Sequence, residues 1–471
     1  GLMASLALLA FFSACFPLTN TDIWWHLSAG RSMLSDTTFL HQDAFSLSSA
    51  GEPWSNGHWL FQILAYLTHQ AFGPLGLVLG KGGLVALGAF ILLKASQAHG
   101  SKDAEAKTLP WAVVITAIAI LASRHLLLAR PVIFSLVFIG LFLFLLGRFA
   151  CSGRLRFLAA LVGVEVLWAN TQPLFLLGPI ILACFLVGES LGVLALRLKI
   201  PGFMSRLEGK SLMLLAGALL FVCAACLLTP NGLAGIALPL KLFGRIQATQ
   251  ASLFTWNVSE NIPPMATGYL DAGPASAFPW LGLAAALSFL LNLKRISLFR
   301  LFLFVAMLIP ALMANRNLLL FYWTAAFVTQ VNLGSALAAW KTPAVFGRIP
   351  TAIGSPKTAV AFLLLFSLLP LGALLQDGPL GEPAPFRLPT ALVPSLAKQP
   401  AGARIFNSVR YGGYLIWTLS PRAKPYIDGR LVLRSPQQFS QYLNVLDRPE
   451  SFQALDAQQD FTAAAQSVAV P

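Results

Sequence analysis

About eleven apolar runs recur along this 471-residue chain, at roughly 2–18, 75–97, 109–127, 131–147, 157–170, 173–193, 211–229, 277–293, 299–313, 317–340 and 358–376. Most have the length that a helix needs to cross a bilayer. With 57% hydrophobic and 11% charged residues, the chain has more apolar surface than a soluble domain uses. The fold class it dictates is an all-α polytopic membrane protein of about eleven transmembrane helices.

The formal net charge is +14, and topology accounts for it without nucleic acid. With the first loop outside, the inner loops carry Lys94, Lys102 and Lys107, then Arg148, Arg154 and Arg156, then Arg197, Lys199, Arg206 and Lys210. They continue with Lys294, Arg295 and Arg300, and with Lys341, Arg348 and Lys357, together 16 of the 32 Lys and Arg. The outer segments before the C-terminal region hold Arg31, Arg124, Arg130, Lys241, Arg245 and Arg316. Each inner loop obeys the positive-inside rule. Lys81 is the exception, a cation inside the second run that snorkels or faces a cavity. Leu2–Leu18 is expected to be a retained helix rather than a signal peptide, because the segment from Thr19 onward reads as a loop tethered to it. The five cysteines lie mostly in or beside the runs. Cys223 and Cys226 sit mid-run and read as small residues for helix packing, and no disulfide framework or His/Cys metal cluster emerges.

Residues 1–376 read as the membrane core. Its outer loop 19–74 carries two amphipathic patterns, Ile23–Leu34 and His58–Phe72, expected to lie along the membrane surface. A second outer loop is expected from about Thr229 to Ser276, with Trp256 and Asp271 in it. Residues 377–400 are a Pro-rich linker. Residues 401–471 turn polar and aromatic, with β-type runs at Arg404–Phe406 and Tyr426–Ile427, and read as a small extracytoplasmic α/β appendage with no clear domain end. No repeat and no GxGxxG, Walker or HExxH motif is present.

Polar residues gather at the outer ends of the runs: Asp22 and His26; Arg124, His125 and Arg130; Trp168, Asn170 and Gln172; Asn315, Arg316 and Asn317. Taken alone, each reads as a helix cap or interfacial anchor. Four hairpins placing them at one depth point to a common outer cavity. Arg130 and Arg316 suit bidentate phosphate recognition, and Arg31 and Arg124 can do the same. Asp22 suits a general base that takes a proton from an acceptor hydroxyl. Asp43 or Glu52 is the candidate second carboxylate. Arginines holding an anionic leaving group beside an activating carboxylate suit a lipid-linked phosphate sugar.

Asp22-Ile-Trp-Trp-His-Leu…Gly30-Arg31 resembles the opening of bacterial multi-span proteins classed with the GT-C glycosyltransferase superfamily. Those read Asp-x-Trp-Trp-His-Leu, then Thr-Asp-Pro-Phe-Ser, then Trp-Val-Asn-His-Glu-Trp-Leu. Here the second element is Gln42-Asp43-Ala44-Phe45-Ser46 and the third is Trp54-Ser55-Asn56-Gly57-His58-Trp59-Leu60. Ala129-Arg130-Pro131…Phe134-Ser135, Leu167-Trp168-Ala169-Asn170 and Ala314-Asn315-Arg316-Asn317 also match. So do Tyr411-Gly412-Gly413-Tyr414-Leu415 and Ile427-Asp428-Gly429-Arg430, in the same order. The resemblance implies a catalytic Asp in the first outer loop and a polyprenyl-phosphate-sugar donor, and Asp22 sits where that Asp belongs. Two positions depart. Gly57-His58 stands where the family has His-Glu, and Gln172-Pro173 stands where it often has His-Gly.

The expected function is an inverting glycosyltransferase-like protein of the bacterial inner membrane, using a polyprenyl-phosphate-linked sugar on the extracytoplasmic face. Catalytic candidates are Asp22 and Asp43; substrate-binding candidates are His26, Arg31, Arg124, Arg130, Trp168, Asn170, Asn315 and Arg316. A divalent metal stays open as a cofactor, and no motif indicates one. The partners are the sugar lipid and membrane lipids, and no nucleic acid. The lost His-Glu motivates the alternative, a non-catalytic GT-C-like subunit of a larger membrane assembly. A transporter would need intramembrane charges, and only Lys81 and Glu165 qualify.

Overall fold

The computed structural model describes residues 1–100, 105–247, 251–266, 275–339, 378–383 and 387–465, together with Gly273 and isolated positions between 357 and 375. The chain is mostly helical. The expected run at 358–376 lies largely outside the described residues, as do Lys102, Asp271, Lys341 and Arg348.

The first helix, α1 (Leu2–Ala14), stops before Pro17, and α2 (Ile23–Ser35) comes next. The third, α3 (Trp59–His99), is two helices joined at a kink, where Gly73 takes φ 63° and Pro74 starts the second half. Glycine tolerates that left-handed backbone and proline is preset for a first helical turn, so the pair turns the chain sharply. Beyond the kink come α4 (Glu105–Ala122), α5 (Val132–Ser152), α6 (Leu155–Thr171) and α7 (Leu177–Arg197). Trp59–His99, Val132–Ser152 and Pro173–Arg197 are long and apolar enough to cross a membrane. Shorter apolar helices include α8 (Gly209–Ala225), α11 (Phe278–Ser288, extended by a 3₁₀ turn to Asn292) and α12 (Leu298–Met313). The 22-residue α13 (Leu318–Ala339) packs on α4, α11 and α12. Large apolar side chains such as Met213, Leu220, Phe221 and Trp280 point outward, as a lipid-facing surface requires. Phe142, Phe149, Trp168, Phe185, Phe299 and Tyr322 fill the interior.

One end of the bundle is tied together by the segments that follow α7 and precede α12. β1 (Gly202–Phe203) pairs in parallel with β2 (Arg295–Ile296), joining the loop after α7 to the loop before α12. Arg206 reaches the carbonyls of Ala98 and Gly100 there.

At the opposite end the structure differs from expectation twice. The second outer segment is not a bare loop: it holds α9 (Gly232–Gln247), α10 (Ala251–Trp256) and a 3₁₀ turn at Ser259–Asn261. Also, α2 is a helix but not an amphipathic one lying open on a surface. Residues 23–30 are all buried, because the C-terminal residues cover the side that α3 leaves free. Those residues contain α14 (Val393–Leu396), β3 (Ala403–Asn407), α15 (Val409–Leu419), β4 (Ala423–Pro425), α16 (Pro436–Asp447), α17 (Phe452–Gln459) and β5 (Ala463–Ala465). The strands form a parallel sheet in the order β4-β3-β5. On the covering helix α15, Tyr414 meets Trp24 edge-on with ring centroids 5.0 Å apart. A Cβ on Gly413 would stand 2.7 Å from the Thr21 carbonyl, so only glycine permits this approach.

A buried ionic clamp holds the C-terminal residues to the segment between α2 and α3. Arg430 bonds Asp43 at 2.8 Å and Asp428 at 2.7 Å, while Arg434 bonds Asp428 at 3.1 Å; all four side chains are at most 1% exposed. The backbones join as well, since Leu47 N–H donates to Pro425 and Ser48 N–H to Tyr426. Burial alone would push the Asp428 carboxyl up, but the two guanidiniums outweigh it and hold it down at about 2. The folded value lies below the ordinary aspartate value, so this stabilisation holds above about pH 4 and fades only as pH falls toward about 2. Asp428→Asn leaves two buried cations sharing one carboxylate, and should cost about 3–5 kcal/mol in thermal unfolding at neutral pH. An unchanged melting profile would show that the clamp does not hold the two segments.

Candidate functional site

Asn20 builds the site from the chain outward. Its amide nitrogen donates to the Ala129 carbonyl at 3.0 Å, and its oxygen accepts from Asp22 N–H and from Arg130 Nε, each at 3.1 Å. One side chain thus sets both the start of α2 and the turn before α5. Asp22 is the N-cap position of α2, where the helix dipole favours a carboxylate. Its Oδ2 pairs with Arg130 Nη2 at 2.8 Å.

Arg130 also bonds Glu260, on the 3₁₀ turn Ser259–Asn261. Arg316, on the 3₁₀ turn Asn315–Asn317, reaches the other Glu260 oxygen at 3.4 Å. The two turns are linked by Asn315 N–H donating to the Ile262 carbonyl at 3.0 Å. Four segments far apart in sequence therefore meet in a row, Asp22–Arg130–Glu260–Arg316, with two charges of each sign. Arg316 keeps 43% of its side chain exposed, so its guanidinium retains donors for an anion. The second oxygen of Asp22 abuts Gly429, where any Cβ would collide with it.

Burial pushes the Asp22 carboxyl above the usual aspartate range; Arg130 opposes this and Glu260 adds to it. Glu260 also feels burial, but Arg130 and Arg316 outweigh it and hold its carboxyl low. His26 is buried beside His58, with ring centroids 5.3 Å apart, and both are driven toward the neutral form, His58 to about 4, chiefly by burial. The site's charge thus resides in its two carboxylates and two arginines.

The structure brings Asp22, Arg130 and Arg316 together, with Asn315 adjoining and His26 one turn along α2. It places the other candidates elsewhere. Asp43 is buried in the ionic clamp, where Arg430, Ser46 and the Phe45 N–H take its oxygens. Arg31 stacks on Trp417 at 4.5 Å and donates to its carbonyl. Arg124 donates to the Leu369 carbonyl. Trp168 is fully buried and bonds Ser135 at 3.1 Å. Asn170 is satisfied by Trp59 Nε1 and by the carbonyls of Val166 and Leu228. Sequence reasoning missed Asn20, Glu260 and Gly429. Glu260 carried a signal: between 229 and 270 it is the lone carboxylate.

The two departures have local roles. Gln172 caps the 3₁₀ turn Pro173–Leu176 by accepting from Leu174 N–H. A Cβ on Gly57 would stand 3.0 Å from Pro173 Cγ, so the two departures touch.

No family model matches this sequence, and no curated protein does. Solved structures do match. One is the archaeal oligosaccharyltransferase AglB from Archaeoglobus fulgidus in complex with an inhibitory peptide and a dolichol-phosphate. Its TM-score is 0.58 at 14% identity, over 98% of this chain and 68% of that one. The apo form of the Archaeoglobus fulgidus oligosaccharyltransferase gives 0.56 at 15%, over 98% and 69%. A complex of that enzyme with Zn and sulfate gives 0.51 at 15%, over 91% and 62%. The likeness is one of fold, and it extends over nearly the whole of this chain.

Glu260→Gln removes the negative charge that helps raise the Asp22 carboxyl, and leaves Arg130 to Asp22. The Asp22 titration, read as the infrared carboxyl band missing from Asp22→Asn, should move down in pH. An unmoved band would show that the row is not electrostatically coupled.

Proposed function

We propose that this chain transfers a sugar from a polyprenyl-phosphate carrier to an acceptor hydroxyl on the extracytoplasmic face of the bacterial inner membrane, with inversion. In this reading residues 1–376 form the membrane core, 377–400 the linker and 401–471 an outer unit. The observation that carries it is Asp22 held at the mouth of α2, in one row with Arg130, Glu260 and the half-open Arg316. The likeness in fold to an oligosaccharyltransferase whose complex contains a dolichol-phosphate supports a lipid-linked donor.

The acceptor hydroxyl lies against Asp22, whose carboxylate takes its proton. The acceptor oxygen attacks the anomeric carbon from the side opposite the phosphate. The bond from that carbon to the phosphate oxygen breaks, and its electron pair leaves with the phosphate. Arg316, with open donors, receives the developing charge. Arg130 holds Asp22 in position and keeps enough negative charge on it for use as a base. A carboxylate with a raised pKa is the better general base near neutral pH. A divalent ion does not fit between Asp22 and Glu260, because the Arg130 guanidinium fills that place. No group of three metal-ligating side chains stands within reach of one ion among the described residues.

Asp22→Asn should lower labelled-sugar transfer in proteoliposomes by about 10²–10⁴-fold, and undiminished transfer would remove Asp22 as the base. Wild-type activity should fall on the acid side with an apparent pKa above the ordinary aspartate value, since the base must be ionised. Gly429→Ala should reduce transfer while leaving thermal unfolding nearly unchanged, because the added methyl meets only the movable end of Asp22.

The second reading is a non-catalytic GT-C-like subunit of a larger assembly. It is favoured by the ion pair that already engages Asp22 with Arg130 and by the structural roles of Gly57 and Gln172. A stable stoichiometric complex whose function survives Asp22→Asn would establish it.

A further inference from the structure

Trp25 follows Asp22 by three positions at the start of α2, so the two side chains share one face of the helix. The indole is 7% exposed and packs among rings. It stacks on His26 at 3.5 Å and meets Trp54 edge-on at 6.1 Å and His58 at 6.2 Å. From α15, a Cβ on Gly413 would stand 3.3 Å from its Cδ1, so the C-terminal residues fix that edge of the ring too. The Nε1–H is nonetheless buried without a hydrogen-bond partner among the described residues. A buried donor left unmade is costly, and a ring fixed in this way cannot turn it toward water.

Asp22 offers the missing acceptor. Arg130 takes its Oδ2, and the side chain caps no backbone N–H of α2, which leaves Oδ1 as the open oxygen. A Cβ on Gly429 would collide with that Oδ1 and would stand 3.7 Å from Trp25 Nε1. The orphan donor and the open acceptor thus face the same glycine, and the missing side chain keeps the space between them clear. Burial is the main influence on the Asp22 carboxyl and pushes it up; Arg130 opposes this, and so does the Trp25 N–H across that gap. Nε1 is shut off from the surface, so a substrate atom cannot serve as its partner.

We propose that Trp25 is a positioning residue, whose Nε1–H holds the Asp22 carboxylate by Oδ1 while Arg130 holds it by Oδ2. One donor on each oxygen fixes the plane of the carboxylate and leaves a second lone pair on Oδ1 for the acceptor's proton. Such a bond is long in the resting protein and tightens in the substrate complex. The effect on rate rests on the glycosyl-transfer reading; the contact between indole and carboxylate does not.

The test uses the full chain in proteoliposomes. Replacing Trp25 with 3-benzothienylalanine keeps the size and shape of the ring and removes only the N–H; Trp25→Phe is the simpler companion. In both, the Asp22 infrared band, identified by its absence in Asp22→Asn, should titrate at higher pH than in wild type, because the charged form has lost a donor. The acid limb of sugar transfer should move the same way. On the alkaline plateau kcat should fall about tenfold, the worth of one hydrogen bond to a charged group, with KM for the lipid-linked donor unchanged. An unmoved band in the benzothienylalanine protein overturns the inference whatever the transfer assay shows. So does a raised KM with kcat unchanged, which would make Trp25 a binding residue. A moved band together with undiminished transfer in Asp22→Asn would instead fault the assignment of Asp22 as base and uphold the contact.

Discussion

The guanidinium of Arg130 is the point at which four segments at one end of this molecule converge. It takes one carboxylate from the start of α2 and another from the turn before α11, and it shares an amide oxygen with the loop after α1. Arginine alone among the cations offers a planar fork that serves several acceptors at fixed angles. Without it, two partly buried carboxylates would face each other, and like charges at that distance raise each other's pKa strongly. The row exists because one cation separates two anions and a second cation closes the end.

The placement of Asp22 also depends on chain that comes nearly 400 residues later. The ionic clamp at Asp43, Asp428, Arg430 and Arg434 fixes the C-terminal residues on the segment between α2 and α3. Gly413 and Gly429 then let that backbone lie against Thr21 and Asp22. What reads in sequence as an appendage is in the fold a wall of the site. A buried clamp of this kind adds little net stability over an apolar core, but it penalises any alternative docking that leaves its charges unpaired.

Helices were legible in the apolar runs, and alternating the ends of those runs placed Asp22, Arg130 and Arg316 at one end of the bundle, where the structure also has them. The burial of α2 was not legible. Its amphipathic pattern shows one polar face, and period alone does not reveal whether water or another part of the same chain covers it. The role of Asp43 escaped for a related reason: a carboxylate in a polar loop looks the same whether it faces a substrate or two buried arginines. Glu260 was hidden in a segment that read as a loop, and its partners lie 130 and 56 positions away.

The contact between Gly57 and Pro173 has a consequence for any attempt to convert this chain toward the pattern it resembles. A histidine at 57 would run into the proline ring, so that position can change only after 173 has given way. A change at 173 alone would in turn disturb the turn that Gln172 caps and leave a gap beside Gly57. The two positions are coupled by contact, so a side chain at 57 is accommodated more readily when residue 173 changes with it than when residue 57 changes alone.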